Sequence, residues 1–190
     1  MSGGVHRLFN NSALRRLLVR LRIPLFVAAG TLIAWHARPE WYFAGLGVSA
    51  FGEAIQLWCF ASLQKNQVLA ANGPYALVRN PMYLGRYFLL AGMLLLLGNG
   101  WLIAVFTVLY YLYMVNRVRR EEALLAPTFG EGYARYCAAV PRFVPRLARY
   151  AQGRIASFDW STFVRNHGPR NLLEAVAFYA LAYYFAFLAG

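Results

Sequence analysis

The sequence contains little charge for its length. Charged residues make up 14% of the 190 residues and hydrophobic residues 60%, whereas ordinary globular domains are roughly 25% charged. A soluble protein with so few charges could not cover its own surface, so an ordinary soluble domain is excluded. The length fits one domain, residues 1–190.

Acidic residues and lysine are scarce. The chain has seven acids and one lysine against eighteen arginines, for a net charge of +12. Its basic residues lie mostly between apolar runs, which indicates anionic lipid headgroups rather than nucleic acid as their partner. The pattern of charged residues predicts no particular oligomeric state.

Cysteine and histidine are too few to build a disulfide framework or a metal centre. Cys59 lies in an apolar run and Cys137 in a basic segment, and three histidines show no metal-ligand spacing. The first residues also lack a signal-peptide cleavage pattern. We therefore expect no disulfide, no metal and no cleaved leader.

Long apolar runs dominate the remainder and predict an all-α integral membrane protein of about five transmembrane helices. A helix needs ~20 residues to cross the bilayer, so three runs require their flanks. The fourth is predicted to continue past Arg117 and to stop at Pro127. The runs are Ile23–His36, Trp41–Leu63, Met82–Leu97, Trp101–Val115 and Leu172–Ala189.

Basic residues predict the orientation in the membrane. With a cytoplasmic amino terminus and five crossings, eighteen of the nineteen basic residues lie inside and only Arg38 outside. Four crossings with a buried last segment would leave the other segments on the same sides. Because arginine far exceeds lysine, we expect a bacterial protein of the inner membrane. Because the basic residues lie inside, we expect a cytoplasmic active site.

The domain divides into four predicted segments. Residues 1–22 read as an interfacial basic helix, because leucines and arginines occupy different faces. Residues 23–63 form a helical hairpin, 64–145 carry the candidate catalytic motifs on a second hairpin, and 146–190 are a basic linker with the last helix. Two tight outer turns, at 37–40 and 98–100, close the hairpins.

A glycine motif inside the second run is not a cofactor site. Residues 45–50 match the spacing of a dinucleotide-binding fingerprint, but no strand precedes them and no acid follows at the required distance. Gly45 and Ser49 instead predict close helix packing.

A cytoplasmic loop is the first candidate site. Gly73-Pro74 and Asn80-Pro81 bend the chain twice, and a proline at the first turn of a helix leaves neighbouring amides unpaired, which suits a carboxylate. Tyr75 and Tyr83 add flat faces for an adenine or ribose. The alternative is an ordinary re-entry loop with interfacial tyrosines.

Carboxylates near or within the membrane are the second candidate. Arg117 and Glu121 share a helix face, and Glu121-Glu122 suit a cationic ligand or the local arginines; the alternative is a salt-bridged helix end. Glu53, in the second run, is a candidate to line a substrate cleft. Glu174 is expected to pair with Arg170.

These pieces, in this order, resemble isoprenylcysteine carboxyl methyltransferases and membrane phospholipid methyltransferases. The resemblance covers about residues 64–145. The motifs that carry it are Gly73-Pro-Tyr75, Arg79-Asn80-Pro81-Met-Tyr83-Leu-Gly85, Glu121-Glu122, Phe129-Gly130-Glu-Gly-Tyr133-Ala-Arg-Tyr136 and Val140-Pro141.

The resemblance implies a membrane methyltransferase that uses S-adenosylmethionine. By resemblance, Arg117 faces the acceptor and Glu121 takes the ammonium of the cofactor's methionine part; both are the predicted catalytic residues. Glu53 is added as a substrate residue. The implied cofactor-binding residues are Gln67, Val68, Leu69, Ala70, Tyr75, Asn80, Pro81, Met82, Tyr83 and Glu121.

One departure affects the expected acceptor. Asn80 stands where the family has histidine, and asparagine cannot accept a proton near neutral pH. A lipid-like or isoprenylcysteine-like carboxylate needs no base and is therefore favoured. The alternatives are a phospholipid amine, with Glu122 or Glu53 as base, a non-catalytic membrane scaffold or transporter subunit, and a membrane reductase.

Overall fold

A computed structural model describes residues 12–63, 69–145 and 154–189, all helical or irregular and without a strand. Within these ranges the predicted all-α class is confirmed. The helices are α1 (Ser12–Trp35), α2 (Pro39–Ser62), α3 (Pro81–Leu95), α4 (Gly100–Ala139), α5 (Trp160–Arg165) and α6 (Gly168–Tyr183), with a 3₁₀ turn at Gly73–Ala76 and a π-helical end at Tyr184–Leu188.

Three of the described helices are long and apolar enough to cross a membrane: Pro39–Ser62, Gly100–Ala139 and Gly168–Leu188. The apolar part of α1, Ile23–Trp35, is shorter, and α3 has 15 residues. The chain is thus an integral membrane protein whose five crossings stay a prediction. Residues 12–22 continue directly into the rest of α1, while residues 1–11 lie outside the described ranges.

Helices α2 and α3 pack closely through small residues. A Cβ added to Gly52 would lie 2.4 Å from the Leu89 amide nitrogen, and one added to Gly45 would lie 2.7 Å from the Gly92 carbonyl oxygen. The Ser49 hydroxyl donates to the Leu89 carbonyl at 2.7 Å. The glycine motif therefore serves helix packing, because only small residues permit this approach.

Helix α4 corrects the prediction that Pro127 ends the fourth helix. The helix continues through Pro127 to Ala139, and its break is at Gly130, with φ 52° and ψ −129°. Proline removes one amide donor, but the helix runs through this position without a break. Gly130 adopts a backbone conformation that disfavours other residues, and the chain turns there instead.

Residues near the carboxyl terminus of the chain hold the carboxyl-terminal end of α2. The Asn166 amide donates to the carbonyls of Phe60 and Leu63 at 2.9 and 2.8 Å, and it satisfies acceptors that a helix end leaves unpaired. The Gly73 amide donates to the Arg154 carbonyl at 2.7 Å. The loop before α3 and the end of α2 are thereby held together by residues far along the chain.

Candidate active site

A cavity of about 740 Å³ lies beside the last residues of α2, the first turns of α3 and the middle of α4. The 3₁₀ turn and the residues around it close one side, and the second half of α4, folded back after Gly130, closes another. The lining side chains are Leu63, Leu69, Ala70, Tyr75, Arg79, Asn80, Met82, Tyr83, Arg86, Tyr113, Arg117, Glu121, Glu122, Leu124, Leu125, Thr128, Phe129, Tyr133 and Tyr136.

Tyr83, Arg117 and Glu121 meet on one side of this cavity. The Tyr83 hydroxyl donates to Glu121 Oε1 at 2.8 Å, and Arg117 Nε lies 2.9 Å from the same oxygen. Arg117 Nε also approaches the Tyr83 hydroxyl at 3.4 Å. The side chains of Arg117 and Glu121 are 49% and 37% exposed, so both remain accessible from the cavity.

Glu122 is held by two arginines from other segments. Arg79 Nη1 lies 3.1 Å from Glu122 Oε1, and Arg142 contacts both carboxylate oxygens through Nε and Nη2. The Glu122 side chain is only 14% exposed. We name Arg79, Glu122 and Arg142 the arginine clasp; it joins α4, the loop before α3 and the segment after α4.

Asn80 adds a further contact between the loop before α3 and the segment after α4. Its amide Nδ2 donates to the Arg142 carbonyl at 3.2 Å, and the Arg79 amide donates to the Pro141 carbonyl at 2.9 Å. Asn80 therefore holds the segment after α4 against the start of α3, while it also lines the cavity.

Tyr75 is buried in the cavity wall. The Tyr136 hydroxyl donates to the Tyr75 carbonyl at 2.7 Å, and Tyr133, Tyr136 and Val140 form a buried apolar cluster against Leu69 and neighbouring side chains. Burial raises the pKa of the Tyr75 phenol well above its ordinary value. The phenol also shares a hydrogen bond with Cys59 of α2.

Comparisons with known proteins identify the family. The family model described as phospholipid methyltransferase matches residues 41–132, which carry nearly all of α2, the loop before α3, α3 and most of α4. Over these residues, which make up just under half of the chain, the protein is similar to the phospholipid methyltransferase family. The resemblance to this family and to isoprenylcysteine methyltransferases is confirmed, and the chain is a membrane methyltransferase.

Individual relatives fall into two groups. The cobalt-zinc-cadmium resistance protein CzcN of Cupriavidus metallidurans is 27% identical over 189 residues, or 94% of this chain and 84% of that protein. Protein-S-isoprenylcysteine O-methyltransferase of Schizosaccharomyces pombe is 35% identical over 44% of this chain and 35% of its own length. The Tribolium castaneum protein of the same name is 29% identical over 45% and 30%. No solved structure gives a significant match.

Most of the predicted site residues come together in this methyltransferase. Leu69, Ala70, Tyr75, Asn80, Met82, Tyr83, Arg117 and Glu121 all line the 740 Å³ cavity. Pro81 is buried in the first turn of α3 and does not line it. Gln67 and Val68 lie outside the described residues. Glu53 lines a second cavity instead.

Several lining residues were not among the predicted catalytic, cofactor-binding or substrate residues. Arg79, Glu122, Tyr133 and Tyr136 all belong to the quoted motifs, so the motif spacing carried a signal for them. Arg86 follows the loop motif by one residue and had no signal apart from its charge inside an apolar run. Tyr113 and Phe129 also line the cavity.

Breaking the clasp is expected to lower stability moderately. Arg142→Ala removes the partner that bonds both Glu122 oxygens, while Arg79 stays in place. Because Arg142 is partly exposed, we expect a loss of about 1 kcal/mol, which corresponds to ~2–4 °C in the melting temperature. Thermal unfolding in detergent measures this. Arg135→Ala, at an exposed position in the last turns of α4, is the control, and equal melting temperatures for both variants would contradict the clasp.

Proposed function

We propose that this protein transfers a methyl group from S-adenosylmethionine to the carboxylate of a lipid-like or isoprenylcysteine-like acceptor at the cytoplasmic membrane interface. The observation that carries the proposal is the meeting of Tyr83, Arg117 and Glu121 in one 740 Å³ cavity. Such a volume lies within the range of ~300–1,000 Å³ typical of small-molecule sites.

The residues present suit the methyl donor. Both described contacts of Glu121 use Oε1, so Oε2 is the oxygen that would accept from an ammonium group. Pro81 begins α3, and the unpaired amides of that first turn suit a carboxylate. Tyr75 and Tyr83 offer aromatic faces to an adenosine. These features support an amino-acid-bearing nucleoside rather than a simple anion.

The reaction asks the protein for positioning rather than for acid-base chemistry. S-adenosylmethionine supplies an electrophilic methyl group whose carbon–sulfur bond returns its electron pair to sulfur as the acceptor oxygen bonds the carbon. Arg117 would hold an acceptor carboxylate by its guanidinium, and the aromatic lining would exclude water. Glu122, with both oxygens taken by the clasp, is poorly placed to serve as base for an amine.

The inner location of the site follows from the charge distribution. The long stretch after Arg117 is rich in arginine, and such stretches stay on the cytoplasmic side. We infer that the cavity opens to the cytoplasm for the cofactor and towards anionic headgroups for the acceptor. An inner (plasma) membrane of a bacterium fits this arrangement.

Calorimetric titration of the purified full-length protein with S-adenosylmethionine tests the proposal. We expect binding with one site per chain, retained in Glu174→Gln, because Glu174 pairs on the surface with Arg170 at 2.7 Å. Absence of binding would overturn the methyltransferase assignment of the cavity. Mass spectrometry of lipids after expression then identifies the product, and methylated amines rather than methyl esters would overturn the carboxylate acceptor.

A further inference from the structure

A second cavity lies deeper along the helices, between α2, α3 and α6. It has a volume of about 460 Å³ and an almost wholly apolar lining, with Glu53 as its charged residue. Two of its three walls belong to helices long and apolar enough to cross a membrane. The lining includes Leu46, Ala54, Leu57, Leu89, Val176 and Ala180.

The two cavities share one face of α3. Met82 lines the first cavity and Leu89 lines the second. Seven residues of α-helix turn through nearly two full turns, so these side chains lie within about 20° of each other and ~10 Å apart along the helix. Arg86, between them in sequence, is exposed and lines the first cavity. The two cavities share no lining residue, and a chain that left the first cavity along this face of α3 would meet the second about two helical turns farther on.

Hydrogen bonds hold α6, which lines one side of the second cavity, against α2. The Asn171 amide donates to both oxygens of Glu53 at 2.8 Å, and the Tyr179 hydroxyl contacts the Gly45 carbonyl at 2.9 Å and Ser49 Oγ at 2.6 Å. These bonds between helices hold α6 to α2 at two levels. Hydrogen bonds therefore set the separation of α2 and α6, and the groove lies between the two helices.

Helix α6 lies beyond the part of the chain that the family model matches, residues 41–132. The groove therefore includes a helix outside the segment that the family model matches. Its depth, its apolar lining and its alignment with Met82 suit a hydrocarbon chain, whose polar end would lie beside Arg86 and Arg117.

We propose that this groove holds the hydrocarbon chain, acyl or isoprenoid, of the methyl acceptor. The inference rests on the proposed function, since it assigns the tail of the same acceptor whose carboxylate Arg117 holds. Glu53 then acts as a positioning residue: it anchors α6 through Asn171 and shapes the groove without contact with the reacting atoms.

Tryptophan substitutions that fill the groove test the proposal. Ala54→Trp on α2 and Ala180→Trp on α6 place a large ring among the lining residues, whereas Ala44→Trp and Ala177→Trp place it at exposed positions of the same helices that do not line the groove. The probe is a phosphatidylglycerol vesicle that carries a photoreactive diazirine in one acyl chain, and cross-linked peptides are mapped by mass spectrometry.

We expect cross-links to α2 and α6 groove residues in the wild type and in both control variants, and their loss in Ala54→Trp and Ala180→Trp. The KM for a lipid acceptor should rise roughly tenfold or more in the groove variants, with unchanged affinity for S-adenosylmethionine. The cofactor titration also shows that each variant is folded.

Each contrary result has a separate meaning. Equal cross-linking in groove and control variants would overturn the groove as a chain site. Lost cross-linking with an unchanged acceptor KM would assign the groove to a bystander lipid and overturn the link to the acceptor. A wild-type protein that cross-links in the groove but binds no S-adenosylmethionine would refute the proposed function and, with it, the acceptor's place in the groove.

Discussion

Replacing Glu121 with glutamine should lower the affinity for S-adenosylmethionine roughly tenfold or more. The substitution keeps the shape of the side chain but removes the charge that would face the cofactor's ammonium, and a charge-assisted hydrogen bond contributes ~1.5–3 kcal/mol. Glu121 has a partly exposed side chain at 37%, so we expect the lower part of that range. Calorimetric titration of the purified variant measures the change.

The neighbouring acid provides the matched control. Glu122→Gln removes the same charge one residue along α4, but its side chain belongs to the clasp with Arg79 and Arg142. It should lower the melting temperature and leave cofactor affinity within about threefold of the wild type, a range of well under 1 kcal/mol. Unchanged affinity in Glu121→Gln, or an equal loss in both variants, would remove Glu121 from the cofactor site.

The helical framework was predictable because its signals are local. Each of the five apolar runs corresponds to a helix, and turns near residues 36–38 and 96–99 join the hairpins as the sequence indicated. The spacing of Gly45 and Ser49 predicted close packing because small residues four apart form one face. The partner helix, α3, is identified only by the contacts of Gly85 and Gly92 with α2.

The differences between the predicted and the observed structure come from contacts between distant parts of the chain. A proline in the fourth helix normally ends it, yet the chain continues through Pro127 and turns at Gly130. Arg142 reaches Glu122 across 20 residues and Asn80 across 62. Charge and sequence order do not specify such pairings, because they depend on how the helix folds back after Gly130.

The position of Glu53 shows a second reason why part of the structure could not be predicted from the sequence. Its charge within an apolar run predicted a polar environment inside the bundle, and it is 5% exposed. Periodicity gives the face of a helix but not the neighbour of that face. Asn171, 118 residues later, lies on a helix outside the motif pattern, so the second cavity could not be located from the sequence.

Arg117→Ala should abolish methyl transfer almost completely while cofactor affinity changes little. Arg117 lies one helical turn from Glu121, towards the bilayer side of the cavity, where a headgroup carboxylate would lie. Without it, an acceptor carboxylate loses its cationic partner, and loss of one electrostatic contact to a reacting group costs about 10²–10³ in rate. Arg117→Lys keeps the charge but not the planar fork, so it should retain partial turnover.

The contact between Arg117 Nε and Glu121 Oε1 at 2.9 Å defines the competing interpretation, in which Arg117 only orients Glu121. Ion pairs as exposed as this one contribute ~0–1 kcal/mol, so even complete loss of the pair should change cofactor affinity by fivefold or less, to within about 1 kcal/mol.

The acceptor role therefore predicts a large fall in the single-turnover rate of Arg117→Ala with a small change in cofactor affinity, and partial recovery of the rate in Arg117→Lys. Pure orientation of Glu121 predicts that rate at saturating cofactor is preserved and that binding alone weakens. Titration and single-turnover assays on Arg117→Ala, Arg117→Lys and the exposed control Arg119→Ala separate the two, and a preserved rate at saturation would exclude Arg117 from the acceptor site.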